Sequence, residues 1–328
     1  MIKKFLKLLY PLGLIYGSVT WIRNKFFDLG VFKQTRFDVP VIGIGNLSLG
    51  GTGKTPHIEH FITQFQSTHT IAVLSRGYGR ITQGFRYVEA MDSPDNTGDE
   101  PLQIKRKFPH IIVAVDEKRV HGIQTMLQDH PQINLILLDD AFQHRYVEPA
   151  LSVLLTEYSN PFWSDLVIPA GKLREFRCGW KRADVLILTK CPLNEPLSVP
   201  EKYKAIPHFF SRIVYLSPVI VSGVLSKKII LLTGIANAIP LLEYLKGEGY
   251  EIVKHFNFPD HHQFNENELS MVANAAQLAH ATILSTEKDW MRIKNHWENK
   301  NLNVAIIHIG VKIENEPHNW LALGKKSA

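Results

Sequence analysis

The stretch VPVIGIGNLSLGGTGKTPHIEHFITQF, from Val39 to Phe65, decides the fold of this 328-residue chain. Residues 39–44 form an apolar, β-branched run that is typical of a buried strand. A glycine-rich turn follows, and Pro56 lies in the first turn of a predicted helix, where its missing N–H costs little. A strand, a glycine-rich loop and a helix in this order are the context that a phosphate-binding loop requires.

The loop itself carries the residue types that bind a triphosphate. Its glycines let backbone N–H groups turn toward phosphate oxygens, Lys54 supplies a positive charge, and Thr55 offers a hydroxyl to Mg²⁺. Ser48 stands where the usual pattern G-x-x-x-x-G-K-[ST] has its first glycine, which loosens the pattern without removing Lys54 or Thr55. The predicted nucleotide-binding residues are Ser48, Gly50, Gly51, Thr52, Gly53, Lys54 and Thr55.

Further apolar runs follow at residues 70–75, 111–116, 133–140, 151–157 and 183–190. Continuous rather than alternating apolar runs indicate strands that are buried on both faces of a parallel sheet. Helical stretches separate them, so we predict an α/β fold: a P-loop NTPase-like, mostly parallel sheet with helices on both faces. Polar residues cluster just past the ends of these strands, where open parallel sheets bind their ligands.

The chain is predicted to have four segments. Residues 1–30 form an N-terminal membrane-associated helix, and residues 31–214 form the P-loop core. Residues 215–228 read as linker strands, and residues 229–328 as a second, smaller α/β domain that closes over a cleft.

Composition limits the class of protein. Hydrophobic residues make up 45% of the chain and charged residues 21%, which argues against disorder and against a polytopic membrane protein. The net charge of +6 suits an anionic partner, although no nucleic-acid-binding module is recognisable and we expect no nucleic acid to bind. Two cysteines form neither a disulfide framework nor a zinc site.

The N-terminal segment carries Lys3, Lys4 and Lys7, and then no charge from Leu8 to Ile22. An uncharged run of 15 residues that contains a proline and two glycines is short for a spanning helix, which needs about 20 apolar residues. A cleaved signal peptide is disfavoured because the segment has no alanine for a cleavage site. We predict an interfacial membrane anchor; a helix packed on its own domain is the alternative.

The run LILLDDAFQHR, residues 135–145, predicts a metal site. Asp139 and Asp140 follow four apolar residues, as the Mg²⁺-binding carboxylate of a P-loop enzyme does, and the pattern does not decide which of the two binds the ion. Thr55 completes the predicted set of metal ligands.

Other polar residues are predicted to contact phosphate or substrate. Arg76 and Arg119 lie just beyond predicted strands and can bind a phosphate through two hydrogen bonds. Gln143 and Glu175 are further predicted contacts to metal, water or sugar. Asp99, in the segment TGDEP, lies at a predicted helix start, where the residues alone favour a helix cap over a catalytic base.

A set of short motifs occurs along the chain in a distinctive order. They are SLGGTGKTP, SRGYGR, GDEP, LDDAFQHR, PAGKLRE, RADVLILTK, TGIAN, FPDHHQF and STEKDW. The ordered set resembles the tetraacyldisaccharide 4′-kinases, the lipid A 4′-kinases of Gram-negative bacteria, from the N-terminal segment to about residue 310.

The resemblance implies a specific reaction. It implies transfer of phosphate from ATP, with Mg²⁺, to the 4′-hydroxyl of a tetraacylated glucosamine disaccharide 1-phosphate. It also implies a peripheral or monotopic protein at the cytoplasmic face of the inner membrane, and we expect a monomer. The family's catalytic aspartate maps onto Asp99, and its paired histidine maps onto His261 in FPDHHQF.

Two other classes of protein keep the phosphate-binding loop. One is a membrane-associated P-loop GTPase or ATPase that acts as a switch, and the other is a nucleotide-dependent chaperone. A motif-matched histidine and a membrane anchor suit an acceptor lipid rather than a switch, and a chaperone would keep the loop without needing Asp99 or His261.

Overall fold

The computed structural model describes residues 9–193, 195–235, 237–260, 262–297 and 302–324. The chain divides into two compact units. The first unit comprises Met1–Ile213 and Val311–Ala328, and the second comprises Val214–Gly310.

Among the described residues, nine strands form one sheet, which belongs mainly to the first unit. They are β1 (Val41–Asn46), β2 (Ile71–Ser75), β3 (Arg86–Tyr87), β4 (Ile112–Val115), β5 (Leu135–Asp139), β6 (Leu151–Glu157), β7 (Val185–Thr189), β8 (His208–Tyr215) and β14 (Ile309–Ile313). Their spatial order is β14-β8-β7-β6-β1-β5-β2-β4-β3. The pairs from β8 through β4 are parallel, and β3 pairs antiparallel to β4. The predicted mostly parallel sheet is confirmed.

The helices of this unit pack on both faces of the sheet. They are α1 (Tyr10–Asp28), α2 (Lys54–Phe65), α3 (Pro94–Thr97), α4 (Asp99–Lys107) and α5 (Arg119–Asp129), with 3₁₀ turns at Phe162–Ser164, Arg177–Arg182, Glu201–Tyr203 and Leu321–Leu323. Alternate residues of β1 point to opposite faces: Ile42 joins a cluster that includes Phe61 of α2, and Val41 joins one that includes Met126 of α5. Burial on both faces explains why the strands read as continuous apolar runs.

The second unit is a smaller α/β body with its own core. It contains β9 (Val219–Ser222), β10 (Lys228–Thr233), α6 (Ile239–Gly247), β11 (Glu251–Asn257), α7 (Glu266–Ala279), β12 (Thr282–Thr286), α8 (Glu287–Trp297) and β13 (Val304–Ile307). The strand order is β11-β10-β12-β13-β9, with β9 antiparallel to β13 and the other pairs parallel.

The end of the chain differs from the predicted division into domains. Residues 303–313, a nearly continuous apolar run within the predicted second domain, contain β13 of the second unit's sheet and β14 of the nine-stranded sheet. The chain after Val311 returns to the first unit, where Trp320 packs against Phe61. The predicted linker 215–228 contains β9, which is part of the second unit's sheet. A continuous apolar run does not reveal the residue at which a chain leaves one sheet for another.

Helix α1 docks on the first unit through a stripe of small residues. Its buried residues are Gly13, Gly17 and Phe27. A Cβ at Gly17 would lie 2.5 Å from the Phe176 ring, and a Cβ at Gly13 would lie 2.9 Å from the Val167 carbonyl oxygen. Only glycine therefore allows this close approach. Among the helices within the described ranges, none has the length and apolar content needed to cross a bilayer.

Candidate active site

The helix that follows the glycine-rich loop begins without a side-chain cap. Gly53 occupies the N-cap position of α2 with φ of 83°, and Gly50 has φ of 108°; both values lie in a region that favours glycine. The first N–H groups of a helix have no partner within the helix, and its N-terminus carries a partial positive charge. An uncapped helix start after a glycine loop is therefore suited to bind an anion.

The position of Ser48 explains why the first glycine of the usual pattern is not required. Ser48 is buried and forms an antiparallel bridge with Leu173. On either side of it, the Leu49 N–H donates to the Lys172 carbonyl oxygen at 2.7 Å, and the Arg174 N–H donates to the Leu47 carbonyl oxygen at 2.8 Å. The chain at Ser48 is thus held by the PAGKLRE segment, and φ at Ser48 is not positive. A residue with a Cβ fits there.

Lys54 and Arg174 both contact Asp140. The Lys54 Nζ lies 3.5 Å from Asp140 Oδ1, and the Arg174 Nη1 donates to Asp140 Oδ2 at 2.7 Å. Burial opposes ionisation of Asp140, but the two cations hold its pKa below the ordinary value. Asp140 has φ of 49°, which is uncommon for a residue other than glycine and is maintained by such contacts.

Asp139 lies beside the end of β1, because Ile44 and Asp139 are in register in the parallel pair of β1 with β5. Its side chain is buried, and Oδ2 accepts a hydrogen bond from the Ser75 hydroxyl at 3.0 Å. Its other oxygen, Oδ1, has no hydrogen-bond partner among the residues that the structure describes. Burial and the nearby charge of Glu100 raise the pKa of Asp139, against the effect of Lys54.

Arg119 is a buried cation whose donors are not all used. It is 3% exposed, and its Nη1 donates to the Asp116 carbonyl oxygen. Its Nε and Nη2 lack hydrogen-bond partners within the described ranges. Burial lowers the pKa of Arg119 to about 10, while the charges of Asp139 and Asp140 act in the opposite direction. A charged group in this state gains strongly from an anionic ligand. Arg76 is exposed, and its charge also acts on Arg119.

Gln143 and Glu175 are engaged by protein groups. The Gln143 amide donates to the Asn46 carbonyl oxygen at 2.9 Å and to Glu175 Oε1 at 3.1 Å, and its Oε1 accepts from Arg174 at 3.2 Å. Glu175 is buried and accepts from both terminal nitrogens of Arg182, at 2.8 and 2.9 Å. Both residues are thus held by protein groups in this structure, and their predicted contacts to metal, water or sugar stay predictions.

Asp99 is the first residue of α4, and Gly98 rather than Asp99 occupies the N-cap position. The loops that contain Gly77 and Gly98 approach each other closely: a Cβ at Gly98 would lie 3.0 Å from the Tyr78 carbonyl oxygen. Helix α4 is tied to α2 through Glu59, which lies 2.5 Å from Lys107. These contacts set the position of Asp99 relative to the phosphate-binding loop. The other predicted catalytic residue, His261, lies outside the described residues.

Sequence reasoning overlooked three polar residues of the site. Asn46 ends the apolar strand β1, and its side-chain amide donates to the Thr52 hydroxyl at 2.7 Å. His57, fully buried in α2, contacts the Gly53 carbonyl oxygen through Nδ1 at 2.7 Å and the Ser211 hydroxyl through Nε2 at 2.9 Å. The third residue, Glu100, follows Asp99, and its charge adds to the effect of burial in raising the pKa of Asp139. A polar residue at the end of an apolar run was the available signal for Asn46.

A parallel sheet, an uncapped glycine loop that ends in Lys54, and paired aspartates at the end of the neighbouring strand define a P-loop phosphotransferase. Comparisons with known proteins give its family. The sequence profile of the family described as tetraacyldisaccharide-1-P 4′-kinase, LpxK, matches residues 5–325. The chain belongs to this family, so the predicted resemblance is confirmed.

Similar proteins support the same assignment. The tetraacyldisaccharide 4′-kinase of Bacteroides thetaiotaomicron is 41% identical over 321 residues, covering 89% of this chain and 84% of that protein. The enzyme of that name from Flavobacterium johnsoniae is 40% identical, with 88% of each chain covered. A crystal structure of LpxK from Aquifex aeolicus in complex with ATP matches with a TM-score of 0.79 and 27% identity over 98% of both chains.

The predicted class of activity is confirmed by these findings. The chain is an ATP-dependent kinase of lipid A biosynthesis, a transferase that places phosphate on a hydroxyl group of a tetraacyldisaccharide.

Proposed function

We propose that the chain transfers the γ-phosphate of ATP to the 4′-hydroxyl of a tetraacylated glucosamine disaccharide 1-phosphate at a membrane surface, and that the first unit carries the phosphate-handling residues. The observation that carries this proposal is the arrangement around Lys54. An uncapped helix start, a lysine and two aspartates at the end of the adjacent strand converge there. Buried polar atoms of Asp139 and Arg119 have no hydrogen-bond partners in the described chain, which suits groups that bind a ligand.

The phosphate groups are assigned to the loop and to two cations. The N–H groups at the start of α2 and Lys54 bind the β and γ phosphates. Arg119, with two unused donors, and Arg76 compensate the charge that moves toward the leaving oxygen during transfer. When the triphosphate binds, it competes with Asp140 for Lys54 and Arg174.

The residues present fit a magnesium ion. Asp139 and Asp140 offer carboxylate oxygens, Thr55 offers a hydroxyl, and Asp139 Oδ1 is a buried oxygen without a hydrogen-bond partner among the described residues. Within the described ranges no group of three or more His, Cys, Asp and Glu could hold a metal ion. Mg²⁺ at P-loop sites commonly takes one or two protein ligands and completes its shell with phosphate oxygens and water. When bound, it supplies charge neutralisation between the phosphates.

Asp99 is the proposed general base. It accepts the proton of the 4′-hydroxyl as the acceptor oxygen bonds to the γ-phosphorus and the bond from that phosphorus to the β–γ bridging oxygen breaks, so that ADP leaves. Its place at N1 of α4, outside the cap position, supports this role over that of a helix cap. The pairing of His261 with Asp99 stays a prediction from the family resemblance.

The outer face of α1 supports a role at the membrane. Large apolar side chains are exposed along it: Leu12, Ile15, Tyr16, Val19, Ile22 and Phe26. Such a face on a helix whose other side is docked is suited to lie in the interfacial region of a bilayer, where an acylated substrate resides. We propose that a monomer binds peripherally to the cytoplasmic face of the inner membrane through this helix.

The proposal is tested with purified protein, Mg·ATP labelled on the γ-phosphate, and the disaccharide 1-phosphate in detergent micelles. We expect label on the acceptor, and a kcat that falls by roughly 10²–10⁴-fold in Asp99→Asn, the usual contribution of a general base. Asp95→Asn removes a neighbouring exposed carboxylate and is the matched control, with unchanged turnover. ATP hydrolysis without a labelled acceptor would overturn the kinase reaction, and full activity of Asp99→Asn would overturn the role of Asp99.

A further inference from the structure

The docked face of α1 is joined to the phosphate site by hydrogen bonds. The Asn24 side-chain amide donates to Glu175 Oε2 at 2.7 Å. Glu175 Oε1 in turn accepts from Gln143, and Gln143 Oε1 accepts from Arg174. Arg174 pairs with Asp140, whose other oxygen lies 3.5 Å from Lys54. An uninterrupted series of polar contacts therefore leads from the N-terminal helix to the lysine of the phosphate-binding loop.

Three further contacts join the same helix to the residues around Gln143. Arg23 donates to the Gln143 carbonyl oxygen at 3.0 Å, and Arg145 donates to the Asn24 carbonyl oxygen at 2.7 Å. Arg145 also forms an ion pair with Asp28 at 2.8 Å. All of these bonds end on the segment that follows β5, the segment that contains Asp140. The helix therefore contacts this segment along its last two turns.

The arrangement has the features of a positioning device. Glu175 is a buried carboxylate, and its donors come from α1, from Gln143 and from Arg182. Removing one donor leaves a buried charged oxygen short of a partner, which favours a different side-chain position. Asp140 lies at the other end with φ of 49°, a conformation that depends on its surroundings. A shift of the Glu175 side chain would therefore move Gln143 and Arg174, and through them Asp140, which has a positive φ.

We propose that Asn24 is a positioning residue for phosphoryl transfer, which acts through Glu175, Gln143 and Arg174 on Asp140 and Lys54. Helix α1 then has two separable roles: its exposed apolar face binds the membrane, and its docked face holds the phosphate site in its active geometry. This inference rests on the proposed function of that site.

The test compares Asn24→Leu, which keeps the size of the side chain and removes the donor, with the wild-type chain in detergent micelles. Because micelles deliver the acceptor without a membrane, an effect on kcat there does not report on anchoring. We expect kcat to fall about tenfold with KM for the acceptor within about twofold, since misplaced catalytic groups affect the transition state more than binding. Binding to phospholipid vesicles stays unchanged.

Thr20→Val is the matched control on the same helix. Thr20 is half-buried, and its hydroxyl donates within the helix, to the Gly17 carbonyl oxygen at 2.9 Å. We expect wild-type kcat and the same melting temperature as for Asn24→Leu. Equal losses of kcat in the two variants would overturn the proposal, because the effect would then come from general loosening of the helix.

A reciprocal exchange provides a second, independent readout. Asn24→Asp places a carboxylate against Glu175 and should lower kcat further than Asn24→Leu. Adding Glu175→Gln restores a donor–acceptor pair with the roles reversed, and we expect it to recover part of the lost kcat. No recovery, together with wild-type kcat in Asn24→Leu, would overturn the proposal. If the wild-type chain itself fails to label the acceptor, the proposed function fails instead, so the two failures are distinguishable.

Discussion

Two strand-to-helix junctions of this chain differ in how their polar groups are bonded. We call a junction closed when its own side chains bond these groups, and open when they do not. In the second unit β12 leads directly into α8, and Asp289 closes the junction: it accepts from the Gly234 N–H at 2.8 Å and from the Thr286 hydroxyl at 2.7 Å. The Asp289 N–H donates back to Thr286. In the first unit β1 is separated from α2 by a glycine loop, and the N-cap of α2 is Gly53.

The bonding of the first N–H groups of each helix explains why one junction is structural and the other binds a ligand. A helix start needs partners for its first N–H groups. At α8 the Thr286 hydroxyl accepts from one of these groups, the Asp289 N–H, whereas the glycines before α2 leave such groups to an external anion. Each of the two aspartates, Asp139 and Asp289, has one buried oxygen without a hydrogen-bond partner in the described chain, but that of Asp289 lies 3.8 Å from Arg292 Nη1 in an ion pair. The functional junction is therefore marked by helix N–H groups that are left to a ligand.

The largest effect on activity is expected from removing the positive charge of Lys54 at the open junction. Lys54→Ala should lower kcat/KM for ATP by roughly 10²–10³-fold, the cost of losing one preorganised group that stabilises transition-state charge. Lys204→Ala, which removes an exposed lysine paired with Glu201, should leave kcat/KM unchanged. Steady-state kinetics at saturating acceptor measure both. A loss of less than about threefold in Lys54→Ala would place the phosphates elsewhere.

The pH dependence of stability tests His57, whose ring contacts the Gly53 carbonyl oxygen at the open junction. Burial lowers the pKa of His57 from 6.5 to about 4, because the charged ring cannot be hydrated. Between these values the unfolded chain binds a proton that the folded chain does not. The free energy of unfolding should therefore fall as pH falls from 6.5 to about 4, by at most about 3 kcal/mol from this residue, and change no further below that.

Chemical denaturation at a series of pH values measures this contribution. His57→Asn keeps an amide donor for the Gly53 carbonyl oxygen and cannot be protonated. In this pH range the slope of its free energy of unfolding against pH should therefore be smaller than that of the wild type, by the amount that one bound proton contributes. His144, whose pKa burial also lowers to about 4, contributes equally to both proteins and cancels in the comparison. Parallel curves for the two proteins would show that His57 does not behave as a buried neutral ring.

The smallest effect is expected at the closed junction. Asp289→Ala removes the acceptor of the Gly234 N–H and of the Thr286 hydroxyl, and should cost about 1–3 kcal/mol of stability. Thermal unfolding measures the loss, and the affinity for ATP should stay at the wild-type value because the phosphate-binding loop belongs to the first unit. Weakened nucleotide binding without a loss of stability would contradict the distinction between the two junctions.

Much of the fold could be predicted because the relevant signals are local. The apolar runs that became β1, β2, β4, β5, β6 and β7 are short, continuous and bounded by polar turns, and burial on both faces dictates such runs. The split of residues 303–313 between two sheets was not predictable, since β13 and β14 have the same apolar character and differ only in their distant partners.

The site was predictable where function depends on backbone conformation or on a strand end. The glycine loop and Lys54 are contiguous in the chain, and Asp139 ends an apolar strand that pairs with the strand before the loop. The assignments of Asp99, His261 and the metal ligands stay predictions. The contact predicted for Glu175 rests on its place in a motif, and the sequence does not show that Glu175 accepts from Asn24, 151 residues away, and from Arg182.

By itself, the sequence determined that this chain is a P-loop α/β protein and a relative of the tetraacyldisaccharide 4′-kinases, because glycine conformations, strand burial and motif order are written along the chain. Only the tertiary structure decided that Ser48 is accommodated by the bridge to Leu173 and that α1 is bonded to the phosphate site. Both depend on hydrogen bonds between residues far apart in the chain, and local pattern carries no information about such partners.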